Sequence, residues 1–217
     1  MRFDTPLGAQ EIDIKRVIVA GWTGRDRAAV DHHIEELSAI GVAPPSEVPL
    51  FYRVSNSLLT QAPEIQVLGE ETSGEVEPLL IHAEEQIWLG LASDHTDRAL
   101  EAVSVASSKQ VCAKPVSHQL WPLEEVADHL DQLKLICDIN KGDAWVRYQL
   151  GTLSAIRPLT ELIKTSGLAS GDAMLCGTLA AIDGVRPATQ YRMSLTDPVL
   201  ERSLSLDYAV TTLPIIA

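Results

Sequence analysis

The segment "EVEPLLIHAEEQIWLGLAS", Glu75 to Ser93, restricts the fold more than any other stretch of the chain. Two apolar runs flank "AEEQ", a polar break too short for a helix and suited to a turn. Runs joined in this way read as the strands of an antiparallel hairpin. The second run, Ile87 to Ala92, is apolar at consecutive positions and so reads as a buried strand. It empties directly into Asp94, His95, Thr96, Asp97 and Arg98. Four ionisable side chains in five residues at the end of a buried strand cost desolvation energy unless partners meet them. A hairpin supplies candidates, because it returns the end of the second strand to the start of the first, beside Glu75 and Glu77.

The remaining pattern is rich in short strands. "RVIVAGW" reads as a buried strand, and Val30, Ile34 and Leu37 give one apolar face to a helix from Arg25 to about Ile40. Strand-like runs follow at "LFYRV" and "IQVL". A second helix is expected from Leu123 to Leu133, with Pro122 at its start. "AWVRYQLGTL" reads as a strand, "PLTELIKTSG" as a short helix capped by Gly167, and "AMLCGTLAAI" as another strand. "SSKQVCAKPVS" reads as a loop. "TQYRMSL" and a final strand-like segment complete a β-rich α+β fold of one domain over 1–217, with 1–15 as an N-terminal extension or edge strand.

The formal net charge of −13 opposes nucleic acid or an anionic membrane as partner, since both attract basic surfaces. Cys112, Cys137 and Cys176 lie in apolar surroundings without zinc-type spacing, as expected of reduced core thiols. No apolar run reaches transmembrane length and no apolar leader opens the chain, so a cytoplasmic protein is expected.

Glu75 and Glu77 stand two apart on a strand, which sends both carboxylates to one face. A solvent-facing strand edge would carry the same pattern. Asp94 adds a third carboxylate at the same end. Three convergent carboxylates without soft ligands describe a hard-cation site for Mg²⁺ or Mn²⁺, and the cation would neutralise the charged strand end.

The order of motifs resembles the fumarylacetoacetate hydrolase superfamily. That family has Glu-x-Glu on a strand, an "ND-x-x-x-RD-x-Q" motif, a later lysine and a "GD…GT" segment. Here these resemble Glu75-Val76-Glu77, then "SDHTDRALE" with Asp94 and Arg98 at the motif's interval, then Lys114 twenty residues after Asp94. "SGDAMLCGTLAAIDGV" follows, with Gly177 and Thr178. "GWTGRDRAA" and "PLFYRVSNSLL" are similar to N-terminal motifs of the family. The resemblance spans about Val17 to Pro187, and "GEVE" with "SDHTDR" is similar to a small bacterial branch of the superfamily.

The resemblance implies a mixed β-sheet roll or barrel core with a few peripheral helices, a homodimer, and a metal at Glu75, Glu77 and Asp94. It implies a small oxo- or diketo-acid substrate, cleaved at a C–C bond by hydrolysis through a metal-bound enolate. Lys114 would neutralise the oxyanion, while Arg98, Gly177 and Thr178 would contact substrate. Arg98 has an alternative reading as an ion pair to Asp94 or Glu101, and Lys109 competes with Lys114. The chain departs from the family in a shorter Glu77–Asp94 separation and in Glu101, where the family has Gln. The family's catalytic His…Glu pair aligns with Arg27 and Val30.

"VDHHIEEL" supplies a substitute pair. His33 lies about 60° round the helix from Val30, with Glu36 at i+3 from it, so His33 oriented by Glu36 is the candidate base. A polar helix flank is the alternative. Without a working dyad the same site would serve decarboxylation, isomerisation or hydration, or a binding protein that keeps the pocket and lacks turnover.

Overall fold

A computed structural model describes residues 1–39, 43–142 and 144–216, with all of their side chains except those of residues 33, 36, 37 and 39. The hairpin forms as expected, from Val76–Ala83 and Gln86–Ser93. Ala83 pairs with Gln86, leaving Glu84 and Glu85 as a two-residue turn. Its unbroken apolar character has a direct cause. Val76, Leu80, Leu89 and Leu91 face one core cluster, while Leu79, Ile81, Trp88 and Ala92 face another. Successive side chains leave a strand on opposite faces, and here both faces are covered.

The hairpin is the centre of a six-stranded mixed sheet. Along it the order is Trp121–Pro122, Gln86–Ser93, Val76–Ala83, Asp172–Leu175, Arg16–Gly21 and Leu50–Val54. Asp172–Leu175 runs antiparallel to the hairpin strand and parallel to Arg16–Gly21. A second sheet has the order Ala144–Thr152, Lys134–Lys141, Gln190–Asp197, Arg202–Leu213 and Glu64–Leu68. Its strands alternate in burial, so Leu135, Cys137, Ile139, Met193, Leu195 and Leu204 enter the first cluster while their neighbours face outward. Among the described residues the sheets stay open, so the core is the mixed-sheet roll rather than a closed barrel.

The helices are peripheral: α1 (Arg27–Ala39), α2 (Arg98–Glu101), α3 (Val105–Gln110) and α4 (Leu159–Ser166). The Asp26 carboxylate accepts from the amide of Ala28, which caps the start of α1. Gly167 ends α4 in the left-handed region at φ 68°, as read from the sequence. None of the described helices is long and apolar enough to cross a membrane.

Three local expectations are corrected. The Leu123–Leu133 helix is a 3₁₀ segment, Leu123–Gln132, broken at His129 with φ −136°. Its apolar stripe still packs through Leu123 and Val126, so the periodicity reported burial rather than helix type. The "AMLCGTLAAI" strand stops at Leu175, because Gly177 at φ 96° turns the chain away. "SSKQVCAKPVS" is only partly a loop: Ser104 caps α3, which reaches Gln110 and carries Lys109 inward. The N-terminal extension forms its own hairpin, Arg2–Thr5 with Gly8–Glu11, and buries Phe3 completely.

Candidate metal centre and its cations

The open end of the central hairpin gathers the charges. Beyond the last ladder pair, the Asp94 amide donates to the Glu75 carbonyl at 3.0 Å, which holds the two residues opposite one another. Carboxylate oxygens of Glu75, Glu77 and Asp94 then lie within 4.8 Å of each other. Glu77 and Asp94 are buried, and Glu75 keeps 16% of its side chain accessible. The Gly177 amide donates to Glu77 Oε2 at 2.7 Å. A Cβ at Gly177 would sit 1.6 Å from Thr23 Oγ1, so the close approach of this amide requires glycine.

Three cations face the carboxylates. Lys109 Nζ lies 2.5 Å from Asp94 Oδ2, and Lys114 Nζ lies 3.0 Å from Asp94 Oδ1. Lys114 also donates to the His95 carbonyl and is fully buried. The two lysines that competed for one role in the sequence therefore sit on the two oxygens of one carboxylate. Arg98 pairs with Glu75 at 3.2 Å and with Glu101 at 2.8 Å, and its Nε donates to Ser73 Oγ at 2.6 Å. Asp97 accepts from the Leu100 amide and caps α2.

The electrostatics follow from this packing. Burial pushes Glu77 well above the ordinary carboxylate range, the Asp94 charge pushes the same way, and Lys109 opposes both. Burial would raise Asp94 too, but Lys109 and Lys114 together hold it well below its usual value. Burial lowers Lys114, with Asp94 working against it, whereas for Lys109 the carboxylates outweigh burial and raise it. Two buried carboxylates with opposite shifts mark a place where a further cation changes the balance.

Around this centre runs a polar network that the sequence left unread. His95 Nδ1 meets Tyr208 Oη at 3.0 Å and Nε2 meets Thr72 Oγ1 at 2.9 Å, while Tyr208 also meets Ser93 Oγ at 2.8 Å. Burial, with Lys114 and Arg98 nearby, pushes His95 down to about 3, so the ring is neutral. Gly74 leaves room for this network, since a Cβ there would meet Tyr208 Oη at 2.1 Å. Gln149, fully buried, accepts from the Val76 amide and donates to Thr178 Oγ1 and the Leu179 carbonyl. Thr178 in turn donates to the Val76 carbonyl. A lone amide on the buried face of "AWVRYQLGTL" was the available signal for Gln149. His33 and Glu36 lie on α1, and their side chains fall outside the described residues.

The three carboxylates suit a hard divalent cation: all donors are oxygen, two are buried, and charging Glu77 is disfavoured without a cation. The fold has solved relatives. A candidate fumarylpyruvate hydrolase from Burkholderia cenocepacia is 16% identical at a TM-score of 0.70, covering 98% of this chain and 92% of that one. A candidate fumarylacetoacetate isomerase/hydrolase from Oleispira antarctica is 17% identical at 0.72, covering 97% and 100%. A 2-keto-3-deoxy-D-arabinonate dehydratase, complexed with magnesium and 2,5-dioxopentanoate, is 14% identical at 0.65, covering 94% and 75%. No curated protein matches the sequence. The fold is therefore that of the fumarylacetoacetate hydrolase superfamily. Residues 20–208 match the family described as a protein of unknown function, DUF2848, and the chain belongs to that family.

Proposed function

We propose that this chain is a divalent-metal-dependent hydrolase of the fumarylacetoacetate hydrolase type, cleaving a C–C bond in a small oxo- or diketo-acid. The convergence of Glu75, Glu77 and Asp94 carries the reading. The solved relative holding magnesium and a dioxo acid supports it by analogy of fold. Residues 1–217 would act as one catalytic unit.

Glu75, Glu77 and Asp94 would hold Mg²⁺ or Mn²⁺, which as a Lewis acid polarises a bound 2-oxo group and stabilises enolate charge. Lys114, held by Asp94, would supply a fixed positive charge toward the developing oxyanion. Arg98 and the Gly177–Thr178 segment would line the substrate side. Arg98 is already paired with Glu75 and Glu101, so it would steer a substrate carboxylate as part of that network. His33, with Glu36, would accept the proton of the attacking water at its ring nitrogen.

A lyase reading, such as decarboxylation, has one observation of its own. His95, the histidine beside the described centre, has both ring nitrogens engaged by Tyr208 and Thr72 and is no free base. Decarboxylation needs the enolate more than an activated water.

The test is a thermal melt of chelator-treated protein with Mg²⁺ or Mn²⁺, then with added oxalate, an enolate mimic. Ligand at about a hundred times its dissociation constant adds roughly 2.7 kcal/mol. At about 2–4 °C per kcal/mol this is a rise of several degrees. The rise should grow with oxalate and vanish in Glu75→Gln. A flat response in the wild-type chain rejects the metal reading. Turnover of a panel of diketo- and 2-oxo acids by the wild type, and its loss in His33→Ala, then separates hydrolase from lyase.

A further inference from the structure

The centre already holds its own cations. Glu75, Glu77 and Asp94 face Arg98, Lys109 and Lys114, and Arg98 divides its charge between Glu75 and Glu101. The three cations are not held alike. Arg98 is fixed by Ser73 and Glu101 in addition to Glu75, and Lys114 by the His95 carbonyl in addition to Asp94. Lys109 has Asp94 as its hydrogen-bonded partner, feels the charges of Glu75 and Glu77, and has the face of the Tyr52 ring 5.8 Å from Nζ to the centroid. It rides on α3, a single short helix whose next residues, Gln110 and Val111, are exposed. Its stem is flexible, and its ammonium is a compact point charge of the kind that a divalent cation displaces from carboxylates.

We propose that Lys109 is a tethered counter-ion, whose ammonium competes with a divalent cation for Glu75, Glu77 and Asp94 and must withdraw when the metal loads. This rests on the metal reading above and adds a step to it. Without metal, Lys109 keeps the buried carboxylates neutralised and the centre folded. With metal, it leaves Asp94 Oδ2 for the Tyr52 face, where a cation over an aromatic ring is favoured. Metal affinity is then set by this lysine as much as by the ligands, because two cations cannot share one carboxylate oxygen without mutual repulsion. Lys114 is not the competitor, since its second partner is a carbonyl on the same buried strand end.

Two measurements test this. In the first, Mn²⁺ is titrated by calorimetry into chelator-stripped wild type, Lys109→Met and Lys109→Arg. The Met variant should bind at least about tenfold more tightly than wild type, and the Arg variant no more tightly. In the second, wild-type lysines are labelled with an amine-reactive ester and mapped by mass spectrometry. Lys109 should be protected in stripped protein and labelled when Mn²⁺ is present. Equal or weaker binding by a folded Lys109→Met overturns the proposal and leaves the metal reading standing. Labelling of Lys109 unchanged at saturating Mn²⁺ overturns it even if the Met variant fails to fold. Binding by Lys109→Met alone supports the competition but shows that the lysine wins, so that metal dependence of the natural chain falls. Binding by neither overturns both.

Discussion

The central hairpin carries glutamates at both of its ends. At the closed end, Glu84 and Glu85 form the turn, and both are exposed. At the open end, Glu75 and Glu77 stand beside Asp94, with Glu77 and Asp94 buried and Glu75 partly so. The residue type, the strand and the sheet are shared, but the physical situation is reversed. Water screens the turn glutamates, so their mutual repulsion is small. Glu77 and Asp94 are buried, so the fold brings cations to the cluster: Lys109 and Lys114 on the two oxygens of Asp94, Arg98 on Glu75. A buried ion cluster of this kind is a poor way to gain stability, because desolvation offsets most of the attraction. Its presence is better explained by chemistry at the open end than by folding.

The contrast can be broken at its strongest point by Asp94→Asn. This substitution leaves the buried Lys109 and Lys114 without their shared counter-charge, and should cost about 3–5 kcal/mol in chemical denaturation. A loss under about 1 kcal/mol would mean the cluster is solvated, and the two ends alike.

His95 sharpens the comparison through pH. Its ring is neutral in the fold at about 3, against 6.5 for an unhindered histidine, so between these values the unfolded chain binds a proton that the folded chain does not. Stability therefore rises with pH in that window and is lost on acidification below about 6.5. The contribution of this residue has a slope of up to about 1.4 kcal/mol per pH unit. Denaturation curves between pH 5 and pH 7 should show a shallower slope for His95→Gln than for wild type. Parallel slopes would place the acid sensitivity elsewhere.

The smallest effects belong at the turn. Glu84 holds φ 54°, so Glu84→Gly should be neutral or stabilising by up to about 1 kcal/mol. Glu85→Gln should stay within about 0.5 kcal/mol. A larger loss at either would show that the closed end, too, is electrostatically organised.

Much of the site was legible because the hairpin is a local structure. The turn at "AEEQ" fixes its register, and register alone places Glu75 and Glu77 opposite the strand end that carries Asp94. Lys109 was harder to place. Its segment lacks the apolar periodicity of a longer helix, and the cap at Ser104 that starts α3 is visible only once α2 has delivered the chain to it. Gln149 and Tyr208 were harder to place for a different reason. Each is a polar side chain on a buried face of its strand, and only the packing of the second sheet against the first shows that it has a partner there.

The sequence by itself determined the hairpin, the strands of the second sheet other than Lys134–Lys141, the positions of the three carboxylates, and a β-rich α+β fold. These rest on periodicity and turn chemistry, which act over a few residues, whereas the mixed-sheet roll with peripheral helices came from the resemblance to the superfamily. The tertiary structure decided that two lysines share one carboxylate, that Arg98 is engaged by Glu75 and Glu101, that His95 is neutral and fully hydrogen-bonded, and that Gly177 offers its amide to Glu77. Those outcomes depend on which charges are removed from water together. Burial of that kind is a property of the packed sheets, and no single segment of chain carries it.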